Sequence, residues 1–317
     1  MEYQFGRIQR IVAAAFAISI GWLAAAHADI GALPPAPPAD QELAGHDLYQ
    51  FIVHHASVPF VNTGMMGNLA RWRGGKQSIC PVTAGLGSDE NALVTARVRA
   101  LAADVGAPVE SNPQCKSNVQ ILFTDKPQEN MESVLKWASV YFRNRYSGGM
   151  RNLIAYTSDH AVQGWYLTTS GGAVVLNTDL GLVRLNVLPV WPKITQNYLG
   201  SDALGTRLGG GSGSGSGIGV VILVVDTTKV VGYSIGAISD YLAMLTLSVV
   251  QTPDHCDSLP SILDLMSSDC AARETPTAMT AGDLAFLKAL YYKNTGLGPS
   301  LSRNQIEDNM IRQFKLR

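Results

Sequence analysis

The run from Val220 to Val250, VVILVVDTTKVVGYSIGAISDYLAMLTLSVV, constrains the fold more than any other part of this chain. Its first residues are almost all β-branched and apolar, the pattern of a strand buried on both faces. After a turn, Ile235, Ile238, Leu242, Leu245 and Val249 recur at steps of three and four, which puts them on one side of a helix. A buried strand feeding a core helix needs a sheet beside it and further helices above it. The apolar content of 46% is enough for that core, and a length of 317 residues allows one large domain or two smaller ones.

The N-terminus predicts the compartment. Arg7 and Arg10 precede an uncharged run from Ile11 to Ala26, and Ala26-His27-Ala28 is an A-x-A cleavage site. Residues 1–28 therefore read as a secretory signal; an uncleaved membrane anchor is the alternative, since the run is only slightly short of a span. No cysteine follows the site, which argues against a lipoprotein. Cleavage removes two Arg and one Glu from 24 basic and 25 acidic residues, leaving 22 and 24. A balance so close to neutral gives no reason to expect nucleic acid as partner, and no membrane span remains once the signal is gone. Export to the periplasm or the medium makes Cys80, Cys115, Cys256 and Cys270 candidates for two disulfides. Three pairings are open; Cys80–Cys115 and Cys256–Cys270 are favoured because each brackets a local unit. Zinc is disfavoured, because no C-x-x-C spacing occurs.

Pro34-Pro35-Ala36-Pro37-Pro38 marks residues 29–40 as an extended spacer. Residues 41–70 begin with a helical segment carrying His46, His54 and His55, whose spacing does not supply the paired ligands of a helical metal site. These histidines are expected to be partly exposed. Residues 71–317 read as one α+β domain, a mixed sheet under long helices with a helical C-terminal part. Extended chain is predicted near Leu69–Trp72, at Ile79–Val82 and at Val119–Thr124. Between the last two lies a helix capped by Ser88 or Asp89, with Val94, Val98, Leu101 and Val105 on one side and Gly106 and Pro108 ending it. That crossover implies parallel strands. Pro127 starts another helix with Met131, Leu135, Ala138 and Phe142 as its stripe. A hairpin is expected over 161–177 around Ser170-Gly171-Gly172, and a further strand over 182–190. Residues 209–217 are purely Gly and Ser, a flexible loop. Thr280 with Asp283, and Ser302 with Gln305, open the last two helices as capping boxes. No internal repeat is present.

Two chemistries compete for the central run. Gly232-Tyr233-Ser234-Ile235-Gly236 fits G-x-S-x-G, the turn that presents a nucleophilic serine at a strand-to-helix junction. The carboxylate and histidine that must take its proton are poorly placed: only His255 lies downstream, while His160, oriented by Asp159 or Asp179, would require an unrelated order. The second chemistry rests on resemblance. Ser239-Asp240-Tyr241-Leu242-Ala243-Met244-Leu245-Thr246-Leu247 falls where matrixin-like zinc peptidases carry H-E-x-x-H-x-x-G-x on their zinc helix. Ser261-Ile262-Leu263 is similar to their S-I-M turn, and residues 280–292 (TAGDLAFLKALYY) to their closing helix. The chain also resembles a group of exported bacterial proteins of unknown function on the same plan, some of them without the metal residues. The likeness runs from Val220 to Tyr292, with agreement of strand–helix–strand order over Arg71 to Thr124.

This resemblance implies a zincin-like core and, position by position, an emptied one. The zinc ligands fall on Ser239, Ala243 and Val249, Asp240 stands at the glutamate and Thr246 at the glycine. Alanine and valine cannot bind zinc. The resulting expectation is an exported, non-catalytic pseudo-metallopeptidase with a binding or structural role, no cofactor and no metal. Its ligand, an unidentified protein or peptide, is expected near Asp240 and Tyr241 at the surface opposite the sheet edge. The alternatives are a serine hydrolase acting through Ser234 and an interaction module tethered by the proline spacer.

Overall fold

The structure, a computed structural model, describes residues 45–55, 69–73, 78–127, 129–130, 160–168, 173–175, 218–250, 256–257, 259–267, 270, 274–292 and 302–315. The signal, the proline spacer, most of the helix expected from Pro127, the strand at 182–190 and the Gly/Ser run at 209–217 lie outside them.

The chain is α+β, built on one mixed sheet. Helix α1 (Gly45–His55) precedes strand β1 (Pro81–Ala84), helix α2 (Ser88–Asp104) and strand β2 (Val119–Thr124). Strands β3 (Val162–Thr168), β4 (Ala173–Val175) and β5 (Ile218–Asp226) follow. Helix α3 (Ile235–Leu247), a 3-10 turn (Ile262–Met266), helix α4 (Ala281–Leu290) and helix α5 (Arg303–Lys315) complete the order. The strands lie as β1-β2-β5-β3-β4. β1, β2 and β5 are parallel, as the crossover through α2 implied, whereas β3 is antiparallel to β5 and to β4. The expected hairpin is present, pairing Trp165 with Val175 and Leu167 with Ala173.

The Val220–Val250 run occupies the middle of this arrangement. β5 pairs on both sides, and Val221, Leu223 and Val225 point with Val119, Ile121 and Phe123 into the core that also holds Val94, Val98 and Leu101 of α2. Every residue of α3 from Ala237 to Leu247 is buried. A helix buried all round loses its backbone partners in water at its C-terminus, so its last carbonyls need donors from elsewhere. Trp72 supplies its indole N–H to Thr246 O at 2.8 Å, and the Tyr291 hydroxyl donates to Leu247 O at 2.6 Å. Burial pushes the Tyr291 phenol well above its ordinary value.

Local chemistry departs from expectation at the start of α2. Neither Ser88 nor Asp89 caps it. The N-cap is Gly87, whose missing side chain is offset by Asn91, which bonds both the N–H and the carbonyl of Leu86. Just upstream, Gly85 has φ +97°, and a Cβ there would stand 1.9 Å from Phe123 O, so no other residue fits. The other caps are as the spacing predicted: Gly106 has φ +79° after α2, and Thr280 with Asp283 makes a complete capping box on α4. Ser302 and Gln305 exchange their two cap bonds at α5.

The cysteines form two disulfides, Cys80–Cys115 and Cys256–Cys270. Among the described residues, no helix is long and apolar enough to cross a membrane.

Candidate functional site

The strand-to-helix turn delivers the residues singled out in the sequence. Asp226 ends β5 by accepting the N–H and hydroxyl of Thr228 at 2.9 and 2.6 Å. Gly232, at φ +95°, redirects the chain, and Ser234 opens α3. Ser234 is exposed, but its Oγ accepts from Ala237 N at 3.1 Å, the bond of a helix N-cap. No imidazole among the described residues hydrogen-bonds it. Its geometry accounts for the G-x-S-x-G pattern without catalysis: glycine for the positive φ, serine for the cap. Ser234→Ala should therefore lower stability by about 1 kcal/mol, measured by urea unfolding. Labelling of Ser234 by a fluorophosphonate probe would show that it does more than cap.

One turn further on, α3 carries the residues expected to meet a ligand. Asp240 is 1% exposed and Tyr241 2%, so both lie in the interior rather than at a surface. The reason is the apolar character of α3 on every side, which leaves no face for solvent. Arg97 of α2 grips the Asp240 carboxylate with both ends of its guanidinium, Nε donating to Oδ1 at 2.6 Å and Nη2 to Oδ2 at 3.0 Å. Met279 N, in the loop before α4, donates to Oδ2 at 2.8 Å. The hydrogen bond to Asp240 raises Arg97 further above its ordinary value, against the opposing effect of burial. Such a carboxylate has two fixed donors on one oxygen and one on the other, and joins α2, α3 and the approach to α4. It is a structural ion pair.

The positions that the zincin likeness assigns to metal do not fit one. Ser239 is fully buried and donates its hydroxyl to Ile235 O at 2.6 Å, within its own helix. Ala243 has no donor atom, nor has Val249. Three other potential ligands stand close together among the described residues: the sulfurs of Cys256 and Cys270 and a carboxyl oxygen of Asp264, all within 4.8 Å. Those sulfurs are joined to each other, so neither is a thiolate.

The most connected group of titratable side chains is one that sequence reasoning missed. His54 and His55 end α1, and His55 is 2% exposed rather than partly exposed as expected. His55 Nε2 lies 2.9 Å from Ser261 Oγ, and Ser261 Oγ lies 2.7 Å from Asp283 Oδ1. The other oxygen of Asp283 accepts from Ile262 N and Thr280 N, each at 2.8 Å. His55 Nδ1 faces Phe51 O at 2.8 Å and Asp257 Oδ2 at 3.6 Å, while His54 Nδ1 lies 2.6 Å from Asp257 Oδ1. Burial pushes the Asp283 carboxyl up to about 6, against the pull of its hydrogen bonds with Ser261, Ile262 and Thr280. The sequence shows Ser261 and Asp283 only as parts of a turn and a cap. Nothing local pairs them with His55, which lies 206 residues from Ser261 in the chain.

Serine, histidine and aspartate stand in line here, but they are enclosed and their neighbouring donors are already engaged. Ser261 is 1% exposed, and the backbone N–H groups that an oxyanion would need are committed: Ser261 N donates to Asp264 Oδ2 and Ile262 N to Asp283. Compared with protein-family models, with curated proteins and with solved structures, the chain matches none of them.

Proposed function

We propose that this is an exported, non-catalytic protein on a zincin-like plan, a pseudo-metallopeptidase that serves the cell envelope or its surroundings by binding a protein or peptide, or by structural support. The observation that carries this reading is the state of Asp240. In the likeness it takes the place of the glutamate that activates zinc-bound water. Here its carboxylate is spent on Arg97 and Met279 N in the interior. A general base must reach the proton it removes, and this one is enclosed by α2, α3 and the loop to α4.

The neighbouring positions agree. A zinc ion needs three or four nitrogen, sulfur or oxygen ligands turned toward it; Ser239 turns its hydroxyl to its own helix, and Ala243 and Val249 offer none. Two disulfides accord with life outside the cytosol. The signal at residues 1–28 carries the same inference from the sequence side.

Metal analysis of the purified mature protein tests the proposal. The expected result is zinc well below one ion per chain, unchanged after incubation with zinc and desalting. Stoichiometric zinc in the purified mature protein would overturn it.

A further inference from the structure

The hydroxyl of Ser261 has three polar partners in the interior: His55 Nε2 at 2.9 Å, Asp283 Oδ1 at 2.7 Å and Leu263 N at 3.1 Å. A serine oxygen carries one hydrogen and two lone pairs. Leu263 N can only donate. Of His55 and Asp283, one must therefore donate to Ser261 and the other must accept from it. The outer nitrogen of His55 settles how many protons this takes. Nδ1 faces the Phe51 carbonyl and an oxygen of Asp257, both acceptors, so it carries hydrogen. Two arrangements satisfy every contact. Either His55 is an imidazolium and Asp283 a carboxylate, with hydrogen bonds running from His55 through Ser261 to Asp283. Or His55 is neutral and Asp283 is protonated, and the bonds run the other way. Both hold the same single proton beyond a neutral imidazole and a charged carboxylate.

We propose that His55, Ser261 and Asp283 form a one-proton latch that fastens helix α1 to the 3-10 turn and helix α4, and that withdrawing the proton loosens it. Without that proton, a lone pair must face a lone pair at Nε2, at Nδ1 or between Ser261 Oγ and Asp283 Oδ1, inside the protein where water cannot repair the loss. The latch sits where it controls docking. Its histidine is the last residue of α1, stacked on Phe51 at 3.8 Å between ring centres and edge-on to Phe286 of α4 at 5.9 Å. Leu48, Phe51 and Ile52 of α1 are buried in the same core.

The charges around the latch act in the same direction or stand apart. On the α1 side His54 pairs with Asp257, an attraction that exists only while that imidazole is protonated. Asp264 holds the N–H of Ser261. Helix α5, which packs against α1, buries Ile306 and Met310; its Arg303 and Glu307 are half-buried and its Asp308 and Arg312 exposed. Burial pushes the Asp283 carboxyl up to about 6, so it gives up a proton within the range from pH 5 to pH 8. The sign follows from that direction. A carboxyl raised on folding favours the folded form while it is protonated; that contribution is fully present below its ordinary value of 3.8 and is lost as pH rises through about 6. By pH 8 Asp283 has released its proton.

Hydrogen exchange of the α1 amides in the mature protein, expressed as protection relative to intrinsic rates, tests the latch. Protection should fall roughly tenfold or more between pH 5 and pH 8, the effect of losing one buried hydrogen bond. Asp283→Asn supplies the missing hydrogen permanently, since its amide oxygen can take the bonds from Ile262 N and Thr280 N while its NH2 donates to Ser261. That variant should lose no more than about threefold over the same range. Ser261→Ala removes the oxygen that joins the two groups, so it should show lower protection than wild type at pH 5. Wild-type protection that is level from pH 5 to pH 8, a fall of wild-type size in Asp283→Asn, or Ser261→Ala protection equal to wild type at pH 5, overturns the proposal.

Discussion

Arg97→Ala lowers the unfolding free energy by about 3–5 kcal/mol, the usual loss when a buried ion pair is left with one member. The asymmetry of the pair makes this larger than the reverse substitution. The Asp240 side chain is 1% exposed and that of Arg97 12%, so removing the arginine strands a charge with no route to water, whereas the freed guanidinium in Asp240→Ala has a short one. Only Met279 N would remain to hold the carboxylate. Arg97→Lys should recover part of the loss and not all of it, because an ammonium cannot span both carboxylate oxygens as the guanidinium does. Replacing both partners, Arg97→Met with Asp240→Leu, should bring stability back to within about 2 kcal/mol of wild type, since well-packed apolar residues often match a buried pair. Urea unfolding of the four variants gives the comparison. An Arg97→Ala protein within about 1 kcal/mol of wild type would mean that Asp240 is not held as described.

The same pair shows what a sequence can and cannot disclose. The strand-to-helix run, the parallel crossover and the hairpin were legible because each is local: β-branched alternation, helical spacing and turn residues act within a few positions. The caps at Thr280 and Ser302 were legible for the same reason, their partners lying three residues away. The cap of α2 was not, because Gly87 has no side chain and Asn91 closes the turn from within the helix. In the sequence Asp240 stands out only through the zincin likeness, at the position of the glutamate. Arg97, its partner, sits 143 residues earlier among the arginines of α2, with no spacing to identify it. His55 was harder still. Its neighbours Ser261 and Asp283 each had an adequate local role as caps, and nothing in the chain shows that both also face one imidazole.

The last carbonyls of α3 extend this point. A helix that is apolar all round has to be satisfied at its end by donors carried on other elements. The helical spacing put the apolar residues of α3 on one side only, so neither its burial all round nor the donors Trp72 and Tyr291 were legible in the sequence. Each comes from a segment more than 40 residues away, and each brings a large apolar ring together with its single donor. The core around α3 is therefore fastened by long-range polar contacts: the Asp240 pair in its middle, two aromatic donors at its end, and the one-proton latch between α1 and α4.

Removing the two disulfides separately should divide stability from this fastening. Replacing Cys80 and Cys115 by serine reopens a loop with a sequence separation of 35 and should cost ~4 kcal/mol in the chain-entropy account; Cys256 with Cys270, at a separation of 14, should cost ~3 kcal/mol. The larger effect is partly held back by its surroundings. Cys80 O accepts from Asn118 N and Val119 N, Cys80 N donates to Asn118 Oδ1, and the Asn118 amide also reaches Ser78 O. That clamp keeps the end of β1 against β2 when the bridge is gone. The second bridge has another consequence. Cys256 is followed directly by Asp257, which faces both histidines of α1, and the bridge encloses the whole 3-10 turn with Ser261 and Asp264. Loss of Cys256–Cys270 should therefore lower hydrogen-exchange protection in α1 as well as global stability, while loss of Cys80–Cys115 should reduce stability and leave α1 protected relative to the new global limit. Selective exposure of α1 in the Cys80–Cys115 variant, or its absence in the other, would show that α1 is not held through the segment that the second bridge closes.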